Sequence, residues 1–302
     1  MTKNMEIINF YVPDFVTGFP IYKKIFDLWK EYPIIFRDNV KISHIFGAFP
    51  SMLWNGGSYS IKNISLIKIN EIIDYYTKMN IPLQFTMTNP LITEQDCYDR
   101  FCNTILKIAD NGINEILVTS DILEQYIRKN FPRYKIDKSI IATVNQNIDY
   151  NEVLQKYDRV VLSRLLMEDF NFLQTIKPEN RSRIELLVNE TCPVDCPRLA
   201  THYLEFAKVQ LFESESKNPL TKCSNNFKRQ YSWEFTDKQR VYSYSDIINT
   251  YLPLGFTEIK LAGRWKETSI INALVKYLVK EEYQADMFKV LMDEVLAYYE
   301  KK

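Results

Sequence analysis

Short apolar runs alternate with longer amphipathic stretches along this chain. Eight runs are nearly continuously apolar and rich in β-branched or aromatic residues; they are 6–12, 41–47, 82–88, 115–119, 139–144, 159–162, 184–188 and 258–261. Strands that are buried on both faces of a parallel sheet show this pattern. We therefore predict eight buried strands.

The stretches between these runs have helical spacing. Residues 65–80 and 98–112 carry Ile, Leu, Phe and Tyr at i, i+3, i+4 and i+7, and the second stretch ends in Asn111-Gly112, a usual helix-stop signal. A strand-helix unit repeated eight times predicts a (β/α)8 barrel of the TIM type. A doubly wound open sheet fits the same pattern nearly as well.

The regular spacing breaks once, after the seventh predicted strand. About seventy residues, 190–257, separate that strand from the eighth, and an interval this long is more often functional than a plain loop. Residues 267–302 follow as amphipathic terminal helices. We predict one barrel domain over 1–302, with 190–257 as a cysteine-containing insertion.

Charge and composition exclude few classes of function. The chain has 38 basic and 38 acidic residues, so a general attraction to nucleic acid or anionic membranes is not expected, although a local basic groove for RNA is compatible with these totals. No uninterrupted apolar run approaches the roughly 20 residues that cross a bilayer, and the first fifteen residues do not read as a secretory signal. We expect a cytoplasmic protein that acts on a small molecule or RNA.

Five cysteines are predicted to lie at one end of the barrel. Cys192 and Cys196 follow the seventh strand, each directly before a proline, and Cys223 lies in the same insertion. Cys97 and Cys102 follow the third strand. The carboxyl ends of barrel strands carry active sites, and iron-sulfur clusters generally take four cysteine ligands while zinc takes three or four. The alternative is an ordinary turn with reduced thiols, in which Cys102 is a small apolar residue on its helix.

Four polar residues at the same end are candidate substrate-binding residues. Arg264 follows the eighth strand and Arg164 the sixth, where a guanidinium can bind a carboxylate or phosphate through two parallel hydrogen bonds. Asn89 and Glu190 follow the third and seventh strands. Each of the four has a structural alternative, as an ion pair or as a partner of loop backbone groups.

Several short motifs, in order, resemble the U32 peptidase-like family. Residues 158–170, "DRVVLSRLLMEDF", are similar to its "RVVLSREL" strand, and "RIELLVNETCPVDC" (183–196) is similar to its strand that ends in a cysteine loop. "FTEIKLAGRWK" (256–266) resembles "VDSLKIEGRMK". The earlier runs "IPLQFTMTNPLIT" and "NGINEILVTSDILEQYIRK" take the places of two further family strands. The resemblance covers most of 5–280.

The resemblance implies a barrel and, as in several members, a [4Fe–4S] cluster near the end of the seventh strand. Cys192 and Cys196 correspond to the two cysteines after that strand and Cys223 to the third. The family's fourth cysteine often precedes the eighth strand, where this chain has none, so either Cys97 or Cys102 would supply the fourth ligand or the site is incomplete. Well-studied members with a cluster take part in hydroxylation of RNA bases or of the ubiquinone ring.

Three functions follow as expectations. The first is iron-sulfur dependent hydroxylation, or another modification, of a nucleic-acid base or a small aromatic metabolite. The second is a barrel that binds a ligand or partner without a cluster and without catalysis. The third is peptidase activity, which would have to use His44 or His202 if it relied on a histidine, and no nucleophile-elbow sequence supports it.

Overall fold

Eight parallel strands close into a barrel. The computed structural model describes residues 6–139, 141, 148–190, 192–193, 196–213, 241–264 and 266–300. The strands are β1 (Ile8–Pro13), β2 (Val40–Gly47), β3 (Leu83–Met87), β4 (Glu115–Val118), β5 (Lys135–Lys138), β6 (Val160–Val161), β7 (Ile184–Leu187) and β8 (Glu258–Lys260). Each strand pairs with the next in parallel, and β1 pairs with β8. The barrel prediction is confirmed, and the open-sheet alternative is wrong.

Helices surround the strands. They are α1 (Phe19–Glu31), α2 (Leu66–Lys78), α3 (Arg100–Ile108), α4 (Asp121–Asn130), α5 (Tyr150–Lys156), α6 (Phe170–Thr175), α7 (Pro178–Arg181), α8 (Leu199–Gln210), α9 (Tyr244–Asp246), α10 (Glu267–Leu278) and α11 (Gln284–Glu300). The terminal helix α11 packs against α1 and α10. None of the helices in the described ranges combines the length and the apolar character needed to cross a membrane.

The fifth strand lies earlier than the sequence predicts. The apolar run 139–144 was the expected strand, but β5 spans Lys135–Lys138, with sequence KIDK, and residues 140 and 142–147 lie outside the described residues. Ile136 faces the apolar layer, whereas Asp137 is fully buried among polar side chains inside the barrel. A strand whose inner face is polar lacks the continuous apolar run on which the prediction depended.

The barrel has an apolar outer layer and a charged interior. On β1, Ile8, Phe10 and Val12 belong to the apolar core, while the alternate residue Tyr11 donates its hydroxyl to Glu258 at 2.8 Å. Strand side chains alternate between the two faces, so one set contacts the helices and the other fills the barrel. Lys260 on β8 reaches Glu185 on β7 and also crosses to Gln84 on β3, at 2.7 Å in each case.

A second charged layer lies toward the amino ends of the strands. Glu115 accepts hydrogen bonds from Arg159 at 2.7 Å, and its carboxylate is 3.1 Å from Nε2 of His44. Burial opposes ionisation of Glu115, but His44 and Arg159 prevail and hold the pKa of this carboxyl below its usual range. Buried charges persist when each has partners. This layer therefore closes the lower barrel with paired charges.

Helix α8, in the predicted insertion, packs against loops at the carboxyl end of the barrel. Gln210 at its end donates from Nε2 to the carbonyl of Met52 at 2.8 Å and accepts from the amide of Ser60 at 2.9 Å. Both partners belong to the long loop between β2 and α2. These contacts hold α8 and that loop together beside the carboxyl-terminal face.

Candidate functional site

A large cavity opens at the carboxyl-terminal face of the barrel. Its volume is about 950 Å³. Its walls come from the ends of β1 and β2, the β2–α2 loop, the end of α8 and the last turn of α11; among the lining residues are Asp14, Asn55, Lys68, Phe212, Arg264 and Tyr299. This is the face on which barrel enzymes build their active sites. The cavity is therefore the first place to look for a bound ligand.

Arg264 lies in this cavity, as the sequence predicts for a residue after the eighth strand. Its Nη1 is 3.2 Å from Oγ1 of Thr86, and its two terminal nitrogens are 3.4 and 3.5 Å from the carbonyl of Gly56. No carboxylate forms an ion pair with it within the part of the chain that the structure describes. Burial lowers the pKa of the guanidinium, although Asp14 partly offsets this. Arg264 is a half-buried cation whose hydrogen-bond partners among the described residues are all neutral.

Two glycines bring loop backbone next to Arg264. A Cβ on Gly56 would lie 2.2 Å from the carbonyl oxygen of Thr88, so no side chain fits there. Gly57 has φ of 70°, and a Cβ there would lie 2.9 Å from Nη2 of Arg264. Glycine adopts positive φ without steric cost and permits such close approach. The "WNGGS" stretch (54–58) thus shapes the surroundings of Arg264.

Asp14 is a cavity residue that sequence reasoning missed. It directly follows β1 and has φ of 61°, in the left-handed region that Asp adopts more readily than most residues. Its Oδ1 accepts hydrogen bonds from the amides of Val16 at 3.1 Å and Thr17 at 2.8 Å. Burial raises the pKa of Asp14, and these hydrogen bonds and Arg264 oppose the rise. Its position after a strand, like that of Arg264, was the available signal.

Arg164 and Glu190 lie together and contact the cysteine segment. Nη1 of Arg164 is 3.2 Å from Oε1 of Glu190, and Nη2 donates to the carbonyl of Pro193 at 2.7 Å. Burial raises the pKa of Glu190, and Arg164 opposes this. The other carboxylate oxygen of Glu190 is buried and has no hydrogen-bond partner among the described residues. These contacts show that Arg164 fixes the backbone beside Cys192; substrate binding by either residue stays a prediction.

Asn89 connects three loops through its side-chain amide. Nδ2 donates to the carbonyls of Leu53 and Ala207, each at 3.2 Å, and Oδ1 accepts from the amide of Leu91 at 3.0 Å. The residue is fully buried. Its hydrogen bonds therefore position the β2–α2 loop and α8, which form walls of the cavity.

Tyr203 of α8 is a second residue that the sequence did not indicate. Burial raises the pKa of its hydroxyl, and the nearby charges of Glu190 and Cys192 raise it further. Arg164 and Arg264 act in the opposite direction. The hydroxyl is therefore electrostatically coupled to both the Arg164–Glu190 pair and the Arg264 cavity. A helix inside a long insertion offers no sequence pattern that reveals this.

The described cysteines lie in two different environments. Cys97 and Cys102 belong to the apolar core, and burial raises the pKa of both thiols, which disfavours the thiolate that a metal requires. Cys192 and Cys196 are half-buried, and Cys223 lies outside the described residues. No group of three or more His, Cys, Asp or Glu side chains within the described ranges is arranged to hold a metal ion. The described cysteines therefore do not form a complete cluster site, and the cluster stays a prediction.

Comparison with known proteins gives one informative likeness. No family model and no curated protein match the sequence. The fold is similar to that of the U32 peptidase Mk0906, with a TM-score of 0.50 and 12% sequence identity over 86% of this chain and 94% of that chain. An identity this low shows the fold alone. This chain therefore has a U32-like (β/α)8 barrel fold, as its short motifs predict.

Proposed function

We propose that this barrel binds a small molecule that carries a carboxylate or phosphate group, with Arg264 as the anion-binding residue. The supporting observation is a guanidinium in a cavity of about 950 Å³ that has only neutral hydrogen-bond partners among the described residues. A guanidinium binds either group through two parallel charge-assisted hydrogen bonds. A purely structural cation at this position would instead pair with a carboxylate.

The walls of the cavity suit the rest of such a ligand. Phe212, Tyr298 and Tyr299 offer aromatic surface, and Lys62 and Lys68 add positive charge. Aromatic and apolar walls with a few convergent polar groups are typical of small-molecule sites. The proposed ligand is therefore an organic anion with an apolar or aromatic part.

Asp14 adds a proton-dependent element. It lines the same cavity as Arg264, and the two influence each other electrostatically. A ligand anion beside an ionised Asp14 would meet a like charge, whereas a protonated Asp14 would not repel it. We expect affinity for the anion to fall as the pH rises through the pKa of Asp14.

Binding of phenyl phosphate and of phenol, which has the same ring and oxygen but no phosphate, measured by isothermal titration calorimetry, tests the proposal. Arg264→Gln removes the charge, and hydrogen bonds to charged groups contribute about 1.5–3 kcal/mol, so phenyl phosphate affinity should fall by about tenfold to about a hundredfold. Arg100→Gln, on the exposed side of α3, is the matched control and should bind like wild type. Equal binding of phenyl phosphate by the Arg264→Gln protein would contradict the proposal.

Iron-sulfur dependent hydroxylation of a base or aromatic metabolite is the second proposal. Its support is that Cys192 lies close to Tyr203, Arg164 and Glu190, near the Arg264 cavity. Iron and acid-labile sulfide are measured after anaerobic purification of wild type and of Cys192→Ala, with Cys102→Ala as the core control. Iron that is present in wild type and lost in Cys192→Ala supports it; absence of iron in wild type rejects it. The peptidase name of Mk0906 is not carried over to this chain, because the likeness shows the fold alone.

A further inference from the structure

A second cavity lies at the opposite, amino-terminal mouth of the barrel. Its volume is about 300 Å³, and it is lined mainly by residues at or just before strand starts, together with Ser43 and His44 from further along β2. None of these residues lines the Arg264 cavity. It is small enough to enclose a single oxyanion with a short substituent.

The cations around this mouth outnumber the carboxylates. Four fixed positive charges line it, those of Lys41, Lys135, Arg159 and Arg183, against the two carboxylates of Asp158 and Glu258. A concave site of low dielectric lined by one sign of charge concentrates ions of the other sign. The balance of charge therefore favours an anionic ligand.

Two of the four cations, Lys41 and Arg183, have no carboxylate partner among the described residues, and Lys135 has only a long ion pair. Arg183 donates to the carbonyls of Leu154, Tyr157 and Asp158 at 2.7–2.9 Å, and because these acceptors are neutral they do not cancel its charge. Lys135 is 61% exposed, with Nζ 3.8 Å from Glu115. Lys41 makes no ion pair among the described residues and is exposed. Arg183 directly precedes β7, Lys135 begins β5 and Lys41 is the second residue of β2.

Arg159 differs from these three cations because it pairs with buried carboxylates at the bottom of the cavity. It donates to Glu115 at 2.7 Å, and Asp137 and Glu258 lie 3.7 and 3.9 Å away. Burial opposes the charge on Arg159, but Tyr11, Asp137 and Glu115 raise the pKa of the guanidinium and keep it charged. Its carboxylate partners hold the guanidinium of Arg159 in one position, so the bottom of the cavity is preorganised for a ligand.

A β-bulge adds donors from β2. The pairing of β1 with β2 shifts between Phe10 and Tyr11, so that Ile42 and His44 pair with consecutive residues and Ser43 is the extra residue. Such bulges re-aim side chains. Ser43 and His44 both line the cavity; Oγ of Ser43 donates to the carbonyl of Phe10 at 3.2 Å and lies 3.1 Å from Nδ1 of His44. To donate to an anion, the hydroxyl of Ser43 would rotate away from Phe10.

We propose that the amino-terminal mouth of the barrel is a phosphate-binding site, in which Lys41, Lys135 and Arg183 hold the oxyanion of free phosphate or of a small phosphate ester. This site is independent of the function proposed for the Arg264 cavity. Because its cations come from strands on different sides of the barrel, a bound phosphate bridges them. The ligand stabilises the closed barrel through ordinary binding linkage, since the unfolded chain has no such arrangement.

Thermal unfolding of the full chain at rising inorganic phosphate, at constant ionic strength and pH, tests the proposal, with glycerol 1-phosphate titrated in parallel to distinguish the two phosphate sources. We expect the melting temperature to rise and saturate. The Lys41→Gln/Lys135→Gln protein should need at least about tenfold more phosphate for the same shift, given the loss of two charged donors. Lys107→Gln/Lys129→Gln, with the same charge change on exposed helix positions, should behave like wild type.

Two results would overturn the proposal. The first is a linear, non-saturating rise that is the same in both double variants, which is the general effect of an excluded salt. The second is loss of the saturable rise in Arg264→Gln with retention in Lys41→Gln/Lys135→Gln, which would place phosphate in the other cavity. Failure of phenyl phosphate binding at Arg264 would leave the saturable effect at the amino-terminal mouth unchanged.

Discussion

Removal of the Lys260 charge should show how much the free energy of unfolding depends on ion pairs inside the barrel. Lys260 is 6% exposed, and its Nζ lies 2.7 Å from both Glu185 and Gln84. Lys260→Met keeps the length and apolar stem of the side chain but deletes the charge. Glu185, which is fully buried, would then lack its cation.

The expected loss in the free energy of unfolding follows from the uncompensated charge of Glu185. Removal of one partner of a buried ion pair costs about 3–5 kcal/mol. Whole domains are stable by only about 5–15 kcal/mol, so the substitution removes a large part of the free energy of unfolding. The entropy of unfolding is about 2.1 cal/mol/K per residue, so a chain of 302 residues loses about 1.6 °C of melting temperature per kcal/mol, which corresponds to a decrease of roughly 5–8 °C.

Urea unfolding followed by circular dichroism measures this loss. Lys107→Met, an exposed lysine on α3, is the control and should change stability by less than about 0.5 kcal/mol. The Glu185→Gln/Lys260→Met protein removes both charges, and a double-mutant cycle should give a coupling energy of about 2 kcal/mol or more. A loss below about 1 kcal/mol for Lys260→Met, or additive single effects, would refute the reasoning.

Three further predictions concern the carboxyl-terminal face. Burial raises the pKa of Asp14 above its ordinary 3.8, so the folded carboxyl holds its proton more tightly than the unfolded one. Its contribution to stability is therefore present at low pH and is lost as the pH rises from about 4 through the folded pKa. The Asp14→Asn protein should lack this dependence of stability on pH in urea unfolding between pH 4 and 7, and equal slopes in the two proteins would contradict the prediction. Gly56→Ala places a Cβ against the carbonyl of Thr88 and should lower the free energy of unfolding by about 1–3 kcal/mol, which a urea titration measures; no change would contradict the close approach. Cys102→Ser puts a hydroxyl into the apolar core and should cost about 1–3 kcal/mol, whereas Cys192→Ser at a half-buried position should cost less than about 0.5 kcal/mol; equal losses would place Cys102 outside the core.

The fold was largely predictable because the helix-facing apolar residues of each strand lie within one short segment of the sequence. The residues of β1 and β3 that contact the helices are apolar at every second position, so each strand appears as a short segment rich in apolar residues. The strand KIDK was missed because its inner face carries Asp137, and no local pattern shows that this aspartate has Gln84 and Arg159 as partners. Those partners lie on other strands.

The position of Arg264 after a strand was enough to select it as a site residue, but this position did not reveal its hydrogen-bond partners or the other residues of its cavity. By itself, the sequence determined the alternation of strands and helices, apart from the position of β5, and the face on which Arg264, Asn89 and Glu190 lie. Only the tertiary structure decided that Asn89 is occupied by loop carbonyls, that Arg264 has neutral partners, and that Asp14 shares its cavity. The physical reason is that secondary structure depends on the spacing of apolar residues along one segment, whereas the partners of a charge depend on which distant segments barrel closure brings within hydrogen-bond distance.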